Sequence, residues 1–300
     1  MENTVHTAGT ARSELEAIKR RLLKEQRQLN SRRFFHSRLA VLGALIMIAM
    51  AFAAIFAPVI APADPMAQAV RDRLTAPCAQ YLMGTDKVGR DILSRIIFGA
   101  RVSMLVGVSV AASSILFGMI IGLYACYYRA LDGVLMRICD GLSAIPSTLL
   151  AIALMAVLGQ SIFNVILALS IVYIPRMARI ARSAALAVKE QTYIEALRGN
   201  GASGFRIIWR HIAPNILSPV VVQASYNFAN AIITEAALSF LGVGVPMPQP
   251  SWGNILSEGR EVINKAWWMV LCPGAVTALA VIGINIFGDG LRDILDPHTN

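Results

Sequence analysis

Residues Glu195 to Asn215 read EALRGNGASGFRIIWRHIAPN, a basic, glycine-punctuated segment between two strongly apolar stretches. Upstream, Ala187 to Arg198 has helical periodicity with Ile194 and Leu197 on one side. Gly199, Gly201 and Gly204 then interrupt the chain, Phe205 to Ile212 resumes an amphipathic pattern, and Pro214 precedes the next apolar run. The spacing predicts a short helix across the membrane plane, a sharp turn and a second helix returning to the bilayer. Glycine supplies the backbone angles for such a turn. An ordered helix–turn–helix between apolar runs points to something that docks there. Amphipathicity taken alone is met equally well by an ordinary basic loop with a surface helix.

The rest of the chain explains why the flanks are apolar. Of 300 residues 56% are hydrophobic and 15% charged, against about a quarter charged in a soluble domain. Leu39–Pro62, Val102–Tyr128, Gly141–Pro175, Ile212–Thr234 and Ala266–Gly288 contain no Asp, Glu, Lys or Arg. About 20 apolar residues cross a bilayer as a helix, and hydrocarbon demands that backbone polar groups be satisfied within the segment. The run 141–175 is too long for one crossing, and Gly159-Gln160-Ser161 with Asn164 marks a turn inside it. Six spans follow, near 39–62, 103–127, 138–158, 162–182, 215–241 and 267–288. The fold class expected is an all-α membrane protein.

A net charge of +9 invites a nucleic-acid reading, but the charges follow topology. Residues 1–38 hold nine Lys or Arg, and residues 175–214 hold seven more. With six spans, the N-terminus, the 128–137 turn, the 183–214 loop and the C-terminus share one side. Counting Arg176, Arg179 and Arg182 of span four with that side, nineteen of the 27 basic residues fall there. Lys/Arg-rich loops are cytoplasmic, so both termini are expected inside the cell. The first apolar run follows 38 polar residues and is long enough to be a retained span rather than a cleaved signal.

No catalytic constellation stands out. There is no GxxxxGK[ST] loop to cradle nucleotide phosphates. The four histidines (His6, His36, His211, His298) all fall outside the expected spans, and Cys78, Cys126, Cys139 and Cys272 show no metal-ligand spacing. An intramembrane enzyme lacks a nucleophile and base. A secondary transporter or channel would call for buried intramembrane charges, and little beyond Glu235 is expected to be buried in the spans. That carboxylate should face the bundle interior or a pore.

Residues 1–38 form a cytoplasmic basic segment in which 11–30 show amphipathic spacing, and 39–62 is the first span. Residues 63–101 form an outside segment with a loop and then an amphipathic helix, in which Asp86, Arg90, Asp91 and Arg95 could pair locally. Residues 102–293 hold the remaining five spans and the loop 187–214, leaving 294–300 as a cytoplasmic tail. Span three carries Ile145-Pro146, where a kink is expected, with Ser147 beside it. Span five carries Asn227 and Glu235 and ends in a Pro/Gly-rich stretch, 241–253, expected to be buried against protein. Trp267 and Trp268 suit an interfacial belt, and Asp289, Arg292 and Asp293 suit the inner end of span six.

Glu195-Ala196-Leu197, Gly201 six residues after the Glu, and Ile212-Ala213-Pro214 resemble the EAA loop of ATP-binding-cassette (ABC) importer permeases. Further marks are Gly84-Thr85-Asp86, Gly89-Arg90-Asp91, Gly99-Ala100-Arg101-Val102-Ser103, Ala144-Ile145-Pro146-Ser147, Ala237-Leu238-Ser239-Phe240-Leu241-Gly242, Pro250-Ser251-Trp252-Gly253 and Gly288-Asp289-Gly290-Leu291-Arg292-Asp293. Together they resemble the dipeptide/oligopeptide/nickel family, specifically its C-type inner-membrane subunit. Leu197 stands where that family's second Ala is usual, and Ala213 where Leu precedes Pro; neither removes the helix or the turn.

The resemblance implies the type I ABC importer permease fold and one half of a pore. It implies a homologous second permease subunit, two ABC ATPases that bind ATP and Mg, and a periplasmic or lipid-anchored solute-binding protein. This chain would hold no cofactor or metal of its own. Tyr193, Glu195, Ala196, Leu197, Gly201 and Ala202 would meet an ATPase. Pro146, Ser147, Asn227 and Glu235 are the pore or structural candidates. Cargo would be a dipeptide or longer peptide, with nickel, a metal chelate or glutathione as alternatives within the same class.

Overall fold

The computed structural model describes residues 37–295; the amphipathic pattern at 11–30 and the tail beyond Leu295 lie outside them. Among the described residues the regular elements are helical, apart from one antiparallel bridge between Thr85 and Asp91. Five helical stretches are long and apolar enough to cross a bilayer, and a bent pair of shorter helices makes a sixth crossing when counted as one.

Helix α1 (Arg38–Ile55) starts on Ser37, whose Oγ accepts from the Ala40 N–H, and stops at Phe56, before Pro58 enters a single short turn, Ala57–Ile60. The expected amphipathic helix and second span prove to be one continuous helix, α2 (Ile92–Tyr127). Its 36 residues rise about 54 Å, far more than a bilayer core needs. Asp91 caps it, taking the Ser94 N–H at 2.7 Å.

The expected third span, 138–158, is not a single helix. Helix α3 (Arg129–Ala144) and helix α4 (Ser147–Leu158) meet at 93°. Pro146 lacks an N–H and disfavours helical angles at Ile145 before it, so the chain breaks where a kink was expected. Helix α5 (Ile162–Lys189) follows Gly159, then α6 (Thr192–Gly199), α7 (Leu217–Phe240), α8 (Trp252–Arg260) and α9 (Trp268–Leu295).

Lipid offers no hydrophobic drive for helices to associate, so close packing across small residues must do it. On α2, a Cβ at Gly118 would lie 2.4 Å from Met177 Cγ, and one at Gly122 would lie 2.5 Å from the Ala178 carbonyl oxygen of α5. Gly107 admits the Phe228 ring of α7 in the same way, and Gly43 and Gly283 bring α1 against α9.

Polar side chains then pin α7 to α2. Asn227 donates to Ser114 Oγ at 3.0 Å, and Ser103 donates to Glu235 at 2.9 Å; Asn227 and Glu235 are both fully buried. Ser239 donates to the other Glu235 oxygen.

At the end of the bundle where α2 begins, charges are buried together. Arg95 contacts Asp86 at 2.7 Å and Glu258 at 2.6 Å, while Arg90 contacts the same two acids at 2.5 and 2.7 Å. Asp86 and Arg95 are fully buried and the Glu258 side chain is 11% exposed. The pairing is therefore not purely local: Glu258 arrives from α8, and Asp91 serves as the cap instead.

The 241–253 stretch is held by Asn254, which donates to the Val245 and Gln249 carbonyls; Val245 and Ser251 are buried, while Leu241 and Met247 are exposed. Of the two tryptophans only Trp267 faces out, at 55% exposure. Trp268 turns inward and donates to the Thr85 carbonyl.

Breaking one member of a buried ion cluster leaves an uncompensated charge and costs about 3–5 kcal/mol. Glu258→Gln should lower the stability of the detergent-purified chain by that order in a thermal melt. Lys87→Ala, which removes a pair with the exposed Glu261, should leave the melt nearly unchanged.

Candidate functional site

The segment 187–214 hangs from the ends of α2 and α5. Lys189, the last residue of α5, donates to the Cys126 carbonyl at 2.6 Å and thereby serves the C-terminal end of α2. Lys189 and Arg198 both lie against the Tyr127 ring, at 5.9 and 5.1 Å from its centroid.

The helical pattern of 187–198 divides between two helices. α5 ends at Lys189, and α6 begins at Thr192 after an extended Gln191. Ile194 of α6 is fully buried. It joins Ile207, Ile208 and Ile212 in one apolar cluster with Leu123, Met177, Ala181 and Ala185 of α2 and α5. Burying an isoleucine side chain stabilises by about 1.5–3 kcal/mol, so four of them fix the loop firmly to the bundle.

The turn is built by Gly201, at φ +76°, in the left-handed region that a side chain disfavours. The Ala202 N–H reaches the Leu197 carbonyl at 3.0 Å and the Gly201 N–H reaches Arg198 at 2.9 Å. This is a Schellman closure, with Leu197 and Ala202 both half-buried on the apolar cluster. Space around Gly201 is open, so its requirement is conformational. Gly204 is different: a Cβ there would lie 2.8 Å from Tyr128 Oη and 2.9 Å from the Tyr127 ring.

After Ser203 caps the next turn, residues Ile207–Ile212 wind widely and Ala213–Ile216 tightly before α7 begins. Pro214, which has no N–H to give, sits at that change of winding. The Ala213 N–H accordingly reaches back five residues to the Ile208 carbonyl.

The expected coupling residues thus separate by face. Tyr193, Glu195 and Ala196 are exposed on the outer side of α6, Tyr193 at 43%. Leu197 and Ala202 turn toward the bundle, and Gly201 shapes the turn between them. Glu195 takes part in no ion pair among the described residues.

The four pore or structural candidates are not brought together. Asn227 and Glu235 lie inside the bundle with their hydrogen bonds to α2 and to α7 itself, whereas Pro146 and Ser147 are exposed at the α3–α4 break. Arg182 holds Asp132 of α3 through two bonds of 2.6 Å, a tie that sequence reasoning passed over. It also passed over Gly118-x-x-x-Gly122, a spacing legible as a helix-packing motif.

An anchored helix–turn–helix on a bundle of five or six apolar spans is a defined architecture, and comparison with known proteins assigns it. Residues 114–300 match the family described as "Binding-protein-dependent transport system inner membrane component". The chain belongs to that family. Residues 26–77 match the "N-terminal TM domain of oligopeptide transport permease C".

A putative peptide transport system permease protein of Brucella suis is 46% identical over 270 residues, covering 90% of this chain and 91% of the relative. The dipeptide transport system permease protein DppC of Escherichia coli K12 is 45% identical, covering 88% and 90%. The solved MetNI methionine ABC transporter in an inward-facing conformation aligns at a TM-score of 0.57 and 17% identity. It covers 67% of this chain and 96% of that one, and shares the type I importer permease fold. The chain is accordingly a multi-pass inner-membrane protein and a pore-forming permease subunit of an ABC importer.

A left-handed residue with a β-branched side chain pays at least about 1–2 kcal/mol. Gly201→Val should therefore speed hydrogen exchange of the amides at positions 200–202 by about 5–30-fold, with the amides of α2 and α5 unaffected.

Proposed function

We propose that this permease subunit carries peptides across the inner membrane, driven by an ATPase that docks on the outer face of α6. The observation that carries the docking reading is the division of that short helix. Ile194 locks it to the bundle while Tyr193, Glu195 and Ala196 are left exposed. A helix held so firmly on one side and bare on the other passes a push on its bare side into α2, α5 and α7, because packed interiors transmit strain.

In this reading two ABC ATPases act, one on this loop and one on that of a homologous second permease subunit. ATP and Mg reside on the ATPases, and this chain binds no cofactor. A periplasmic or lipid-anchored solute-binding protein delivers the cargo. Closure of the ATPases draws the two loops together and biases the spans between inward- and outward-open states through differential affinity. Both termini and the loop lie in the cytoplasm, as the Lys/Arg distribution supports. Peptide cargo is supported by the names of the relatives, which are peptide, dipeptide and di/tripeptide transport permeases. Choice among peptides belongs to the binding protein.

Glu195→Arg and Tyr193→Ala should each reduce co-purification of the ATPase and peptide uptake, with membrane insertion intact. Normal assembly and uptake in both would refute the docking face. In a Cys78→Ser background, single cysteines introduced at positions 192, 195 and 198 should resist a membrane-impermeant thiol reagent in intact spheroplasts and react after lysis. Labelling in intact spheroplasts would reverse the orientation.

A further inference from the structure

The break at Pro146 opens a cleft of about 240 Å³ between α3–α4 and the middle of α5. Ser143, Pro146, Ser147, Tyr173, Arg176 and Arg179 line it. Both arginine side chains are exposed. Arg179 is held in place by Ser143, at 2.8 Å, and by Asp140, at 3.6 Å. Arg176 has no ion-pair partner among the described residues.

The depth of Arg176 makes this arrangement informative. The charge count by sequence groups it with the loop that follows α5. In the structure it is the fifteenth residue of the 28-residue α5, next to the buried Pro175. At 1.5 Å per residue α5 is about 42 Å long, with Arg176 about 21 Å from its start. A hydrocarbon core of about 30 Å that falls within α5 includes it. An exposed guanidinium inside that core is costly against lipid. Its face of α5 consequently meets water or protein, and the open cleft beside it is lined by hydroxyls as well as apolar side chains. Helix α4 starts at the cleft's edge with no side-chain cap, adding the positive end of its dipole.

We propose that this cleft is a way-station for the terminal carboxylate of a peptide in transit, with Arg176 as the binding residue and Arg179, oriented by Ser143 and Asp140, beside it. The proposal rests on the peptide reading above. A carboxylate crossing a low-dielectric passage loses its hydration, and the guanidinium of Arg176 replaces part of it with charge-assisted hydrogen bonds. The apolar walls supplied by Ile145 and Leu150 suit a side chain or the peptide backbone next to that carboxylate.

The test uses the whole importer, with its second permease subunit, ATPases and binding protein, in proteoliposomes. Dipeptide uptake is measured together with binding-protein-stimulated ATP hydrolysis and subunit stoichiometry. Arg176→Gln should lower uptake per ATP hydrolysed by about tenfold, the loss expected for one hydrogen bond to a charged group. Arg176→Glu should lower it further and Arg176→Lys should retain most of it, with ATP hydrolysis and stoichiometry unchanged. Uptake per ATP at the wild-type level in Arg176→Gln and Arg176→Glu would overturn the proposal while leaving the peptide reading intact. Loss of the second permease subunit from these variants would overturn it in favour of a subunit contact. A wild-type importer that takes up no peptide would bring down the peptide reading, and this proposal with it.

Discussion

The close approach of α2 and α5 at Gly118 and Gly122 sets the geometry of everything built on them. In a bilayer nothing pushes two apolar helices together except dispersion between surfaces that fit. A side chain at either glycine would collide with α5, at Met177 in one case and at the Ala178 backbone in the other. Because these contacts fix the register, the last turn of α5 arrives beside the last turn of α2. Lys189 can then bond the Cys126 carbonyl, and the loop begins from a defined point rather than a free end. The four buried isoleucines at 194, 207, 208 and 212 find their cluster only because those two helix ends stand together.

The second constraint is the cost of polar groups in the bundle, which acts as a specificity device along α2. Ser103 and Ser114 meet Glu235 and Asn227 in antiparallel order, so a slide of α7 by one turn would strand both buried groups. Further along, Arg95 commits α2 to Asp86 in the preceding loop and to Glu258 in α8. Such clusters contribute little net stability compared with an apolar core. Their effect is to make alternative arrangements far worse.

How much of this was legible in the sequence follows from the range of each cause. The apolar runs and their helical state were legible because the bilayer imposes the same requirement on every residue in them. Ile194 as the inward residue of α6 was legible from periodicity, since a short helix has one wet face. The 93° break at Pro146 was legible in position but not in size. Proline removes a bond locally, while the angle depends on what α3 and α4 pack against. Glu258 as the partner of Arg95 was out of reach, lying 163 residues away with nothing local to announce it. Arg176 falls within the expected span 162–182, yet the charge count grouped it with the loop, because counting charges by segment cannot tell a loop from a helix that carries a proline. The inward turn of Trp268 was out of reach in the same way, since it packs into the apolar cluster and bonds the Thr85 carbonyl 183 residues earlier.

These differences in packing also divide the molecule mechanically. α2, α5 and α7 share buried side chains along much of their lengths, joined by Tyr173 to Thr234, Asn227 to Ser114 and Ser113 to Ser170 beyond the apolar contacts. By contrast α3 buries only Cys139, and α4 only Ala151 and Met155. A displacement applied at α6 is therefore passed along the well-packed trio as a body. The α3–α4 unit, with few buried contacts to lose, is where a change of shape meets least resistance. That unit is also the one that borders the cleft with Arg176. The part of the chain with few buried contacts and the Arg176 guanidinium midway along α5 are neighbours because the same proline, Pro146, breaks the helix and opens the space.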